Sequence, residues 1–382
     1  MAGKVAGKVE TMPLRVLWVI KGLGPGGAEH LLVNQARVRD TSRFDVSVAF
    51  AAGEKTALVP LLEAEGIAVH ALGTGLWHRL ISLRRLLADS DVVHVHSPLV
   101  ASEIRLLRLT TRRRPKLVVT EHNSWDAFHP VTRTLNACTA WMDDARIAVS
   151  DAARNSMWRS LRSSTEVVSH GVDVASMREA RSQAAVVRRA LAVGDDRVLA
   201  VTVANFRVHK DYPNLLRSMA QVQQELGKGV VLAVVGQGPL ESEVRQLRLD
   251  LGLEGVVEIL GYRADARELI AAADMFVLSS RQEGRPVALM EALGAGVPVV
   301  VTRAGGMAEM VTDGAEGLVV PIGDSGALAA AMIRIATDRE FRATCSVSAA
   351  ESGGRFDITV AQRRLEQIYE AVIAGLKPTA HQ

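Results

Sequence analysis

The sequence predicts an α/β protein built from two doubly wound parallel sheets, one in each half of the chain. Three observations carry this prediction. Short β-branched runs alternate with helical patterns along the whole length of 382 residues. The runs are apolar throughout instead of alternating, as expected of parallel strands buried on both faces. The rhythm also restarts after Arg197, and the length suits two or three domains of about 150 residues each.

The first series of strands is predicted at residues 14–20, 44–50, 67–71, 91–96, 116–122, 146–150 and 165–170, and the second at 198–204, 230–236, 256–261, 274–280, 297–302 and 317–320. Between them, residues 173–196 are rich in Ala, Arg and Ser and lack strand character. The expected organisation is a disordered tail over 1–12, a first Rossmann-like domain over 13–172, a linker over 173–196 and a second such domain over 197–357. A last helix, 358–376, sets Val360, Leu365, Ile368, Tyr369, Val372 and Ile373 at helical spacing and is expected to pack back on the first domain.

An apolar fraction of 48% lets each half bury a core, and a net charge of +3 does not imply a nucleic-acid partner. Two cysteines, Cys138 and Cys345, lie too far apart in sequence to read as a disulfide framework, which fits a reducing cytoplasm. The apolar run at 16–20 is too short for a signal peptide, and no run approaches the roughly 20 apolar residues that span a bilayer.

Ligands of doubly wound sheets bind outside the carboxyl ends of the strands, and the motifs of the second half fall there. In 279–301, SSRQEGRPVALMEALGAGVPVVV, a strand ends at the serines, a loop carries Glu283 and Gly284, and Pro286 is expected at the first position of a helix. Free N–H groups around Arg285, Pro286 and Val287 suit a diphosphate, and Gly284 allows close backbone approach. Glu283 before the helix and Glu291 within it can accept sugar and ribose hydroxyls; the plain alternative is two solvated glutamates. Arg207 and Lys210 follow the first strand of this half, where cations suit a departing diphosphate. Gly236 and Gly238, in VVGQGPLE, indicate backbone crowding at another strand end.

In this order VANFRVHK, VVGQGPLE, ILGYRADARELIAAADMFVLSS, EGRPVALMEALGAGVPVV, TRAGGMAEMV and DGAEGLVVP resemble the donor-binding half of family 4 retaining glycosyltransferases. The resemblance implies the GT-B fold, two facing Rossmann-like domains with a cleft between them. It also implies transfer of a sugar, with retention, from a nucleotide diphosphate sugar to a hydroxyl acceptor, with no metal and no other cofactor. By the same resemblance Glu283 contacts donor sugar hydroxyls, Glu291 holds the ribose, the backbone at Arg285–Val287 meets phosphate, and Tyr262 and Arg263 border the base. Two positions depart from the family pattern. Asn205 stands where the family usually has the diphosphate arginine, with Arg207 two residues later, and Arg285 replaces a residue that is commonly aromatic or aliphatic.

In the first half, KGLGPGGAEH at 21–30 follows the first strand, and Gly22, Gly24 and Gly27 satisfy G-x-G-x-x-G. A nicotinamide site also needs an acid at the end of the second strand, and that end reads Ala49-Phe50-Ala51-Ala52. The loop instead resembles the family's GGxE element, whose amides at Gly26 and Gly27 face donor phosphates. His94 and His96 point to one side of a strand, but zinc needs three or four ligands and no third is spaced to join them. His122, in VVTEHN, resembles the family's acceptor-domain histidine near the reacting carbon. Asp89-Ser90-Asp91 precedes an apolar strand and reads as a turn, so no metal is predicted. The basic stretch 105–116 with its leucines admits either a solvated helix end or peripheral contact with anionic lipid at the inner face of a membrane. Three further readings remain at this point: a sugar-nucleotide 2-epimerase of the same architecture, a nicotinamide-dependent oxidoreductase, and a binding module without turnover.

Overall fold

A computed structural model of the chain describes residues 12–24, 27–51, 55–73 and 75–376. All of the expected tail except Met12 lies outside the described residues. The chain forms two compact units. The first takes in residues 1–148, 153–167 and 364–382, and the second 149–152 and 168–363.

The first unit holds a seven-stranded sheet of β1 (Leu14–Ile20), β2 (Phe44–Phe50), β3 (Ala68–Ala71), β4 (Val92–Val95), β5 (Lys116–Glu121), β6 (Ala145–Ala148) and β7 (Thr165–Val167). Its order is β3-β2-β1-β4-β5-β6-β7. The second unit holds β8 (Val198–Val203), β9 (Val230–Val235), β10 (Val257–Gly261), β11 (Met275–Leu278), β12 (Val299–Thr302) and β13 (Gly317–Val320), in the order β10-β9-β8-β11-β12-β13. Every pairing between these strands is parallel. The predicted fold class is therefore observed. Most strands end one to three residues before their predicted limits, so His96, His122 and Ser280 sit just beyond the ladders.

Burial on both faces explains why the strands lack a polar alternate. In the first sheet Leu17, Val19, Val93, Val95, Leu117 and Val119 pack under the helices Leu76–Asp89 and Pro98–Arg108. The intervening positions turn the other way, where Trp18 and His94 meet Tyr369 of the helix Ile358–Ile373. In the second sheet Leu199, Val201, Phe276 and Leu278 lie in one core and Ala200, Leu232, Met275 and Val277 in another.

Residues 173–196 are not a bare connector. They carry the helices Val174–Ser182 and Ala184–Ala190 and belong to the second unit. Met177 is buried in the same core as Ile270 and Leu289, and Arg181 donates to the carbonyls of Ala271 and Ala273 at 2.7 and 2.6 Å. The segment lacks strand character and is expected to be a linker; instead it is helical, and Arg181 satisfies the carbonyls at the end of a neighbouring helix.

The basic stretch 105–116 is likewise divided by the fold. Arg105 is fully buried; its guanidinium makes a bidentate bond to Asp143 at 2.6 and 2.8 Å and a further bond to Asn136 Oδ1 at 2.7 Å. Arg108 and Lys116 share Asp144 at 2.8 and 3.2 Å. Only Arg112, Arg113 and Arg114 of this set are exposed. No helix among the described residues is long and apolar enough to cross a membrane.

Candidate active site

Both sheets reverse their winding between a first strand and its far neighbour, β1 beside β4 and β8 beside β11. Crevices form at the carboxyl ends of such strand pairs because successive loops diverge to opposite sides. Arg207, Lys210, Glu283 and Gly284 follow the β8 and β11 ends, while Gly236 and Gly238 follow β9, Tyr262 and Arg263 follow β10, and His122 follows β5.

In the second unit β8 runs into Ala204–Phe206 and then the short helical turn Val208–Lys210, while β11 runs into Ser279–Ser280 and the loop to Glu283. The Lys210 ammonium donates to Glu283 Oε1, and Ser280 Oγ donates to the same oxygen at 2.7 Å. Ser279 Oγ bonds the Lys210 carbonyl at 2.9 Å, tying the two loops together through the backbone. Asp211 closes the turn in a left-handed conformation (φ 50°), and its carboxylate receives Arg281 at 2.7 Å. Arg207 is exposed and makes no ion pair among the described residues.

Glu283 and Gly284 are held from behind by the glycine pair after β12. Gly306 N–H donates to the Glu283 carbonyl at 3.2 Å. A Cβ on Gly305 would fall 2.1 Å from that carbonyl oxygen, and one on Gly306 1.9 Å from the oxygen of Gly284. The same close approach recurs at β9: a Cβ on Gly236 would meet the Ala204 oxygen at 2.0 Å, and one on Gly238 the Phe206 oxygen at 2.6 Å. These glycines are needed where backbone packs on backbone.

The helix after this loop is Val287–Gly294, with Pro286 as its N-cap. Pro286 thus precedes the first helical position instead of occupying it, since its ψ of 126° is extended. No side chain caps the helix, and the residues from Glu283 to Ala288 are only half-buried. The N–H groups of Val287 and Ala288 have no intrahelical acceptor and carry the positive end of the helix dipole. Such a start accepts an anion. Arg285 turns toward Glu309, 3.5 Å away. Glu291, one turn inside, is 8% exposed, and Arg267 Nε donates to its Oε1 at 2.8 Å. A buried carboxylate without a cation would be costly. Arg267 was not singled out in the sequence because its partner lies 24 residues away on another helix. Tyr262 is 53% exposed after β10, and Arg263 bonds Asp265 at 2.7 and 2.6 Å, which holds that carboxyl below its ordinary pKa.

In the first unit Gly27 opens the helix Gly27–Val38, while Gly26 lies outside the described residues. His122 follows β5 and His96 follows β4, and their rings meet through His96 Nδ1 and His122 Nε2 at 3.0 Å. His94 is core: its Nδ1 contacts the Tyr369 hydroxyl and its Nε2 the Thr120 hydroxyl, both at 2.7 Å. Trp18 Nε1 already donates to Tyr369 at 3.0 Å, so the tyrosine proton goes to His94 Nδ1 and the ring carries its own proton on Nε2. Burial pulls the pKa of His94 down to about 3 and that of His122 to about 4, so both are neutral near neutral pH. Asp91, of the Asp-Ser-Asp triplet, is bound to Arg15 at 2.9 Å, and the described residues contain no group of three or more His, Cys, Asp or Glu able to hold a metal.

Two family profiles match the chain in succession: "Glycosyltransferase Family 4" over residues 25–176 and "Glycosyl transferases group 1" over residues 185–352. The chain belongs to the group 1 glycosyltransferases. A phosphatidyl-myo-inositol mannosyltransferase of Mycolicibacterium smegmatis is 29% identical over 378 residues, 92% of each chain. A D-inositol 3-phosphate glycosyltransferase of Saccharomonospora viridis is 32% identical over 56% of this chain and 51% of that one. Among solved structures, Anabaena HepE in complex with UDP-glucose superposes with a TM-score of 0.84 at 23% identity, covering 94% of this glycosyltransferase and all of that chain. A glycosyltransferase of Rickettsia africae gives 0.80 at 16% identity over 95% of this chain and 99% of that one. The fold of this glycosyltransferase is GT-B.

Proposed function

We propose that this glycosyltransferase moves a sugar from a nucleotide diphosphate sugar to a hydroxyl acceptor, with retention of configuration and without a metal, in the synthesis of a polysaccharide, glycolipid or glycoconjugate. The observation that carries the reading is the convergence at the β8–β11 switch point. There Lys210 and Glu283 are joined beside the uncapped helix start at Val287, with Glu291 held by Arg267 one turn further in.

In this reading the diphosphate lies on the amides of Val287 and Ala288, with Lys210 and Arg207 meeting the charge that grows on it as the glycosidic bond breaks. Those cations take the role a divalent ion plays elsewhere. Glu283 accepts donor sugar hydroxyls, Glu291 accepts the ribose hydroxyls, and the exposed Tyr262 stacks beside the base with Arg263. The acceptor hydroxyl attacks on the face the diphosphate leaves, a phosphate oxygen takes its proton, and neutral His122 bonds the sugar near the reacting carbon. Positioning and leaving-group stabilisation then supply most of the acceleration. The free thiols Cys138 and Cys345 suit a cytoplasmic setting.

A thermal-shift screen with UDP, GDP, ADP and their sugars identifies the donor, since a ligand of the folded state raises stability. NMR of the product with that donor, in the presence of a chelator, is expected to give the donor's own anomer at an undiminished rate. An inverted product removes retention, and activity lost with the chelator removes metal independence.

A further inference from the structure

The helices Leu76–Asp89, Pro98–Arg108 and Pro130–Thr139 pack side by side on one face of the first sheet. Their inner stripes are ordinary core, with Leu83, Leu87 and Ile104 fully buried. A helix so placed is expected to turn a polar stripe to water. The outer stripes here are apolar and basic instead. Trp77 is 76% exposed and Ile81, one turn on, 52%; Leu106 and Leu109 are 57% and 51% exposed, and Trp141, in the turn after the third helix, 78%.

Arginines border these residues. Arg84 and Arg85 continue the Trp77–Ile81 stripe, and Arg112, Arg113 and Arg114 fill the turn after the second helix, all five exposed. Side-chain bonds join the pieces into one surface. Arg84 reaches Thr110 at 3.5 Å, beside Leu109, and Arg108 bonds the Met142 carbonyl at 3.0 Å, beside Trp141. The acids of the first two helices offset little of this charge, because Glu103 is bound to Arg79 at 2.8 Å and only Asp89 remains.

Single exposed apolar residues are normal. Tryptophans and leucines spread over three adjacent helices and flanked by exposed arginines match the composition of helices that lie in a membrane interface. We propose that this face rests on an anionic lipid bilayer, with the arginines on headgroup phosphates and the indoles of Trp77 and Trp141 at headgroup depth. Charge selects the occupant: a second copy meeting this face symmetrically would set arginine against arginine. The docking stands on its own chemistry; that the bilayer delivers the acceptor rests on the transferase reading above.

The test is sedimentation of the full chain with vesicles. Binding is expected to equal parts phosphatidylglycerol and phosphatidylcholine at low salt, weakly or not at all to phosphatidylcholine alone, and to fall as salt rises. The variant R112Q/R113Q/R114Q is expected to partition about 100-fold less, roughly fivefold per arginine. Bromine-labelled lipid should quench the fluorescence of a chain carrying W158F, and W77Y/W141Y made in that background should lose the quenching, because Trp158, 48% exposed, is then absent and Trp18 and Trp125 are buried. The proposal is overturned by absent binding to the anionic vesicles, by equal binding of the glutamine variant, or by quenching that survives in W77Y/W141Y made in that background. A dimer in ultracentrifugation that dissociates in W77Y/W141Y would assign the face to a second copy. Transfer to a water-soluble acceptor is expected unchanged in the glutamine variant. A chain that binds vesicles yet transfers no sugar refutes the reaction and leaves the docking intact; the reverse outcome refutes the docking alone.

Discussion

Lys210 and Glu283 lie 73 residues apart in sequence and share a proton-bearing contact. Each of them neutralises the other, and in the proposed reaction a donor diphosphate at Val287 would compete for the ammonium. Lys210→Ala is therefore expected to lower kcat by about 100-fold or more, the size seen when one charge-stabilising donor is removed, with a smaller change in nucleotide affinity. Steady-state kinetics with calorimetry separates the two; near-normal turnover would remove Lys210 from the chemistry. Arg267 bonds Glu291, the proposed ribose ligand, so Arg267→Gln is expected to weaken nucleotide binding roughly tenfold by freeing a carboxylate that must be aimed. Comparing the ribo- and 2′-deoxyribonucleotide provides the check, since discrimination between them should shrink in Arg267→Gln and in Glu291→Ala alike. Equal discrimination in all three proteins would exclude a ribose contact.

The loop of Glu283 and Gly284 keeps its shape through backbone contact with Gly305 and Gly306, so its stability is a property of two elements and not of one residue. Gly306→Ala would push a methyl into the Gly284 carbonyl, 1.9 Å away. A loss of about 1–3 kcal/mol is expected in urea unfolding, as for other overpacked sites. Gly354→Ala is the matched control, because that position is helical (φ −57°) with nothing within 4 Å, and it is expected to be neutral or slightly stabilising. Elements were legible in the sequence to the degree that their burial was uniform. The strands read clearly because both faces are apolar, as at Val230–Val235, where every residue is buried. The helices of 173–196 did not, because Arg181 and Arg188 spend their charge on carbonyls and on Asp274, which only the assembled core reveals. Pro286 lies one position before the expected helix start because its ring fixes only φ, and its ψ of 126° is extended. The sequence placed Glu283 in the loop before a helix and Glu291 inside it, as the structure does; Arg267 and the His96–His122 contact join separate elements, and no local pattern encodes them.

At the scale of the whole molecule, His94 links stability to pH. Its pKa is about 3 when folded against 6.5 for the free group, a depression caused first by burial and then by the charge of His122. Below 6.5 the unfolded chain binds a proton that the folded chain refuses, so stability is full above that pH and lost as pH falls toward 3. The slope approaches about 1.4 kcal/mol per pH unit from this one ring. Denaturant midpoints measured between about pH 7 and pH 5 should fall accordingly, with the His94 ring resonance unchanged across that range. A ring that titrates near 6.5 would contradict the buried, neutral assignment. The hydroxyl that satisfies His94 belongs to Tyr369, in the last segment counted with the first unit. Residues 168–363 form most of the other unit without interruption. A ribosome making this chain thus releases the opening half long before the residue that completes its interior exists, and the later half can fold sooner than the earlier one. Chains cut short of Tyr369 would leave the Trp18 indole and the His94 imidazole facing an unfilled seam, a natural handle for chaperones and proteases that screen unfinished products.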